Sequence, residues 1–176
     1  MSVPFGIVEY RSTDRFEQEY IEEIQEHCNE LTLDHRWWSE QVTLYDKIEY
    51  PLYLTGDSRL LLEALQSEHG YREPVDYSDD IYMALVDYAK LLEILSLLSK
   101  QHELTWKLFQ TGSLKFEMLI GWIESGETSE SAIRHMTDIM SEVAVTHEDL
   151  LDKERQQRIY SKYFDENDKP IFEIDR

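Results

Sequence analysis

From Ser78 to Gln110 the chain runs without glycine or proline, and its apolar side chains recur at intervals of three and four. Ile81, Leu85, Tyr88, Leu92, Leu95, His102, Trp106 and Phe109 follow one helical stripe. Ala84, Leu91, Ile94 and Leu98 widen it beyond what a surface helix needs. Only Asp87, Lys90, Glu93, Lys100, Glu103 and Lys107 are left to face water. The pattern predicts a long buried helix over 78–110, capped by Ser78, with Asp79 and Asp80 at the positive end of its dipole and a stop at Thr111-Gly112.

The remaining elements are read against that helix. Val3–Tyr10 is short, β-branched and punctuated by Pro4 and Gly6, which predicts a strand. Asp14–Leu33 reads as an amphipathic helix with an Asp14/Glu17 capping box and a stripe of Phe16, Tyr20, Ile24, His27/Cys28 and Leu31. Asp34 can cap a second helix through about Ile48, although Val42-Thr43-Leu44-Tyr45 also suits a strand, which leaves the state of 41–50 open. A short helix is expected over Ser58–Glu68, then a loop over Tyr71–Tyr77. Ser113 opens a helix carrying Leu114, Met118, Ile120, Trp122 and Ile123 that Ser125-Gly126 breaks. Thr128 or Ser129 caps another, with Ile133, Met136, Ile139/Met140 and Val143 inward, and Thr146 with Asp149 starts a last one to about Phe164. Ile171–Ile174 is strand-like, and the two chain-end strands could pair. The predicted fold is therefore mainly α: a single domain over 1–176, a helical bundle around the long central helix (78–110) with a minor β element from the two chain ends.

Charge changes this picture more than composition does. The 176 residues are apolar enough to fold, at 41% hydrophobic, yet 37 acidic residues face 17 basic ones for a net charge of −20. The acids come in blocks: residues 1–34 carry −7, 63–93 carry −6 and 124–152 carry −7, while the intervening stretches are nearly neutral. Such a field repels nucleic acid and anionic membrane, which disfavours direct binding to either. Neither a membrane-length apolar run nor a signal-peptide pattern occurs, and the lone Cys28 fits a reducing compartment, so a cytoplasmic location is expected.

Catalytic chemistry finds little support in the residues. Glycine-rich phosphate loops, Gly-x-Ser-x-Gly, Glu-x-x-His, His-Glu-x-x-His and Cys-x-x-Cys are all missing from the sequence. Cys28 falls on the apolar stripe of its helix, where an inert thiol is the default. His135, Asp138 and Glu142 share a helical face at i, i+3 and i+7 and form the one candidate ligand set for a metal or small molecule.

Two features point instead to a protein partner. Glu19, Glu23, Glu26 and Glu30, with Glu22 beside them, form a ladder on the exposed side of the first helix without interleaved lysine. Like charges at i, i+4 cost roughly 0.2–0.5 kcal/mol per pair, so this helix gives up stability to carry them. Aromatic rings are also dense at Trp37, Trp38, Tyr45, Tyr50, Tyr53, Tyr71, Tyr77 and Tyr82, mixed with Asp76, Asp79 and Asp80, a composition suited to protein recognition. The resulting expectation is a non-enzymatic protein with no cofactor that binds a basic, nucleic-acid-handling protein through Glu19, Glu22, Glu23, Glu26, Glu30, Tyr71, Asp76, Tyr77, Asp79 and Asp80. It would act as an inhibitor, immunity protein or nucleic-acid mimic, and in composition alone it is similar to the phage and plasmid DNA-mimic inhibitors. The alternatives are a helical-bundle enzyme or ligand binder using His135, Asp138 and Glu142, and an acidic structural subunit.

Overall fold

The computed structural model describes residues 7–13, 16–38, 41–47, 53–59, 77–111 and 117–169. In chain order the elements are β1 (Ile7–Ser12), α1 (Gln18–Thr32), β2 (Tyr45–Lys47), β3 (Tyr53–Arg59), α2 (Tyr77–His102), β4 (Trp106–Thr111), β5 (Glu117–Glu124), β6 (Glu127–Thr128), α3 (Glu130–Glu142), α4 (His147–Leu150) and α5 (Lys153–Tyr163). Among the described residues the strands form one six-stranded sheet in the order β2-β3-β1-β4-β5-β6, every neighbouring pair antiparallel. This overturns the expected helical bundle with a minor β element. The architecture is an antiparallel sheet packed with helices, and the sheet is built mostly from the middle of the chain. β1 has both edges taken, by β3 and β4. Its expected partner at 171–174 lies outside the described residues.

Sheet and helices share one core because strand alternation and the stripe of α2 meet on the same side. Val8, Tyr10 and Ser12 of β1, Trp106 and Leu108 of β4, and Ile123 of β5 are buried, while Lys107 and Trp122, paired across β4 and β5, are exposed; Ile120, buried three residues before Ile123, lies at the register shift opposite Leu108 and Phe109. Every residue of α2 from Ile81 to Tyr88 is buried, and burial continues through Leu91, Leu92, Ile94, Leu95, Leu98 and His102. A helix covered on nearly all sides needs anchors for its polar tips, and its tyrosines supply them. Tyr88 donates to the Ala132 carbonyl of α3 at 3.0 Å and Tyr82 to the Asp149 carbonyl of α4 at 2.5 Å.

The long helix ends sooner than its spacing predicts. Glu103 sits in the left-handed region at φ 52°, the Leu104 N–H reaches back to the Ser99 carbonyl at 3.2 Å, and the Ser99 hydroxyl donates to the Leu104 carbonyl at 2.6 Å. This is a Schellman stop built on a glutamate where a glycine is usual, and the chain leaves it as β4. Trp106 and Leu108 point inward, so residues 106–110 are strand and not the final turns of a helix. A second correction concerns the helix expected from Ser113. Residues 117–124 are β5, and Ser125 and Gly126, at φ 51° and 79°, form the two-residue turn of a tight hairpin to β6 rather than a helix break.

Other expected helices also change. Of the helix expected over 34–48, the described residues show none: 34–38 turn, 41–44 lead into β2, and Trp38, Val42 and Leu44 are buried. The helix placed at Ser58–Glu68 starts within β3, and the rest of it lies outside the described residues. Asp14 also lies outside them, and α1 begins behind Glu17, which makes no side-chain cap. The helix expected over Thr146–Phe164 is two helices. Thr146 and Asp149 close a reciprocal capping box at α4, and Asp152 caps α5 by accepting from the Arg155 N–H at 3.1 Å. Of the two expected caps, Thr128 or Ser129, it is Ser129 that caps α3, and it also accepts from the Trp122 N–H of β5 at 3.0 Å. That approach requires Gly121, since a Cβ there would lie 2.3 Å from the Ser129 hydroxyl and 2.9 Å from the Ala132 Cβ. Among the described residues, no helix is long and apolar enough to cross a membrane.

Candidate functional site

α1 is amphipathic for a simple reason: Ile21, Ile24, Cys28 and Thr32 are buried, and the glutamates fall between them. Ile24 and Cys28 are buried as expected, but the stripe is completed by Ile21 and Thr32, while Tyr20 is half-exposed and Leu31 only partly buried. Glu19, Glu22, Glu23, Glu26 and Glu30 are all exposed, and among the described residues none of the five makes an ion pair. No cation stands in the last turn to offset Glu30 near the negative end of the helix dipole. The face spans about 16 Å along the axis at 1.5 Å per residue. Among the described residues it is a strip of negative charge without a paired cation.

α1 and the segment that follows it run antiparallel to α2. Tyr20 and His27 meet His102, Asp34 pairs with Lys90 at 3.1 Å, His35 with Asp87 at 2.9 Å, and Trp38 reaches Asp80. This ordering separates the two acidic groups that the sequence analysis joined. Asp79 and Asp80 lie at the opposite end of α2 from His102, about 33 Å away along the helix axis. Asp79 is paired with Lys162 at 2.9 Å and accepts from the Tyr163 hydroxyl at 3.0 Å. Asp80 is 1% exposed and accepts the Trp38 indole N–H at 2.8 Å, so it offers no charge to a partner. Tyr77 is the first residue of α2, while Tyr71 and Asp76 lie outside the described residues. Among the described side chains, the glutamate face of α1 is the part of the expected surface that is exposed without an ion pair.

Two polar clusters, one buried and one part-buried, hold this arrangement together, and sequence reasoning missed both. In the first, the Asp87 carboxylate, fully buried rather than solvent-facing, binds His35 Nε2 with one oxygen and accepts the Trp38 backbone N–H at 3.0 Å with the other. Trp38 is wedged against Tyr160, Tyr163 and Phe164, with ring centroids 5.5 to 5.8 Å away. Asp80 and Asp87, seven positions apart on one face of an otherwise apolar run, were the available signal. In the second cluster, His27 and His102 share a nitrogen-to-nitrogen contact of 3.0 Å beside the Tyr20 hydroxyl.

The candidate chemical groups are dispersed. His135 packs against the Tyr88 ring at 5.8 Å, and burial holds its pKa below the ordinary imidazole value against the pull of Asp138. Asp138 and Glu142 are exposed, and among the described residues no three His, Cys, Asp or Glu side chains converge to hold a metal ion. Burial pushes the Cys28 thiol up to about 12, far from the thiolate a nucleophile needs. A cleft of about 850 Å³ lies beside Arg36, Gln157, Phe164, Asn167 and Asp168. The guanidinium there is stacked on Tyr160 and neutralised by Asp168. The chain matches no protein-family model, no curated protein and no solved structure.

Proposed function

We propose that this protein acts by binding: it docks a basic protein through the glutamate face of α1 and thereby occupies a surface that handles DNA or RNA. The observation that carries this reading is that Glu19, Glu22, Glu23, Glu26 and Glu30 are exposed on one helix and none is ion-paired among the described residues. A helix selected for stability alone would interleave cations; this one holds pairs at i, i+4 that repel each other. Carboxylates four residues apart recur every 6 Å or so along the axis, a spacing of the order of that between phosphates on a nucleic-acid strand. A basic groove would therefore meet charges at a familiar interval, and association would be steered by the field of the whole chain.

The test is capture of host proteins on the immobilised chain at low and high salt, beside a variant carrying Glu19→Lys, Glu23→Lys and Glu26→Lys. Retention of a nucleic-acid-handling protein by the wild type at low salt, lost at high salt, with competing DNA or RNA and in the variant, supports the reading. Retention that survives all three overturns it.

A further inference from the structure

α1 and the last turn of α2 meet at their histidines. His27 Nδ1 lies 3.0 Å from His102 Nε2, and the ring centroids are 5.2 Å apart with the planes at 66°. The rings therefore meet nitrogen to nitrogen, and at that distance one nitrogen must donate and the other accept. The other nitrogen of His102 lies 3.3 Å from the Tyr20 hydroxyl, which is also 3.4 Å from the His102 carbonyl.

These contacts form one hydrogen-bond chain whose direction can reverse. With both rings neutral, Tyr20 donates to His102 Nδ1, and His102 Nε2–H donates to His27. With one added proton on His27, that ring becomes the donor, His102 Nδ1–H donates to the Tyr20 oxygen, and the Tyr20 hydroxyl turns to the His102 carbonyl. A second proton has no such solution, because two N–H groups would point at each other and two like charges would share the contact. Among the described residues, the carboxylates that act on His102 and Tyr20 are Glu23 of α1, which acts on both, and Glu103 after α2, which acts on Tyr20. Glu23 favours a cation on His102, but burial first and His27 second oppose it, and the balance lies below the ordinary imidazole value.

We propose that the His27–His102 pair is an acid-sensitive clasp between α1 and the C-terminal end of α2, closed while the pair holds at most one proton and opened by a second, which frees the helix that carries the glutamate face. The clasp does not depend on that face having a partner. Its sign follows from linkage. The unfolded chain protonates His102 at about pH 6.5 and the closed clasp only lower, so its contribution is intact above about pH 6.5 and is lost as pH falls from there through the folded value.

The experiment is native-state hydrogen exchange of the full chain at about pH 7 and about pH 5, corrected for intrinsic rates, with ring-nitrogen shifts followed by NMR over the same range. The opening constant of α1 amides should rise about tenfold or more in the wild type, one decade for each unit by which the second protonation is displaced. His102→Gln, which keeps a donor and an acceptor but no charge, should remove that rise. An unchanged wild-type opening constant, or an equal rise in His102→Gln, overturns the clasp. Should His102→Gln fail to fold, the wild-type titration decides alone: two separated steps, with α1 shifts following the lower one, support it, and a single common step at about pH 6.5 overturns it.

Discussion

The Trp38 indole N–H donates to the Asp80 carboxylate across 2.8 Å, with both side chains buried. One turn of α2 further on is Ala84, and a second turn brings Asp87, which takes the backbone N–H of the same tryptophan. Two acids of one helix thus hold a single residue of the segment that follows α1. Asp80→Ala strands a buried indole donor and is expected to cost about 1–3 kcal/mol in urea unfolding, while leaving the association rate with a basic partner unchanged.

Gly121 predicts a steric effect. Gly121→Ala drives a Cβ into the Ser129 hydroxyl, which caps α3, and against the Ala132 side chain. Because Ser129 also holds the Trp122 N–H, the helix cannot retreat without breaking its tie to β5. We expect a loss of about 1–3 kcal/mol, read from the denaturation midpoint at unchanged m-value.

Charge reversal on α1 separates kinetics from stability. Glu19→Lys, Glu23→Lys and Glu26→Lys together should slow association with the partner by roughly tenfold to a hundredfold at low salt. The fold should hold within about 0.5 kcal/mol, since the three side chains are exposed and the repulsions they relieve are individually small. Stopped-flow association and thermal melts make the comparison.

His135 gives a pH dependence distinct from that of the clasp. Burial against Tyr88 lowers its pKa and Asp138 partly restores it. The native chain therefore binds this proton less readily than the unfolded one, and stability is lost as pH falls from about 6.5 through the folded value. Asp138→Asn removes the opposing attraction and should move the His135 titration lower still, measured by the ring-proton shifts in NMR.

Cys28 should be silent to thiol reagents in the native state. Its thiol is fully buried and pushed up to about 12. Modification by a disulfide reagent at about pH 8 is expected to follow opening of α1 rather than thiolate concentration, and to become complete on adding denaturant.

Much of the chain's local organisation is legible in its residues. Ser129 as a cap, the Thr146/Asp149 capping box and the amphipathic run of α1 need only neighbours a turn away, and α2 announces itself by its unbroken apolar stripe. The exposure of the α1 glutamates also follows from local periodicity. Where helix spacing and strand alternation compete over a few residues, tertiary structure decides. Residues 106–110 and 117–124 satisfy both patterns, and β1 and β4 turn them into strands by supplying hydrogen-bond partners from far along the chain.

The stop at Glu103 shows the same limit, since a glutamate in the left-handed region carries no glycine to mark it. The fate of the acids was likewise a tertiary matter. Asp80 and Asp87 read as surface charges until Trp38 and His35, from another part of the chain, take their oxygens into the core. Periodicity settles which face of a helix is apolar; only a distant segment determines whether a polar group on it meets water or a partner.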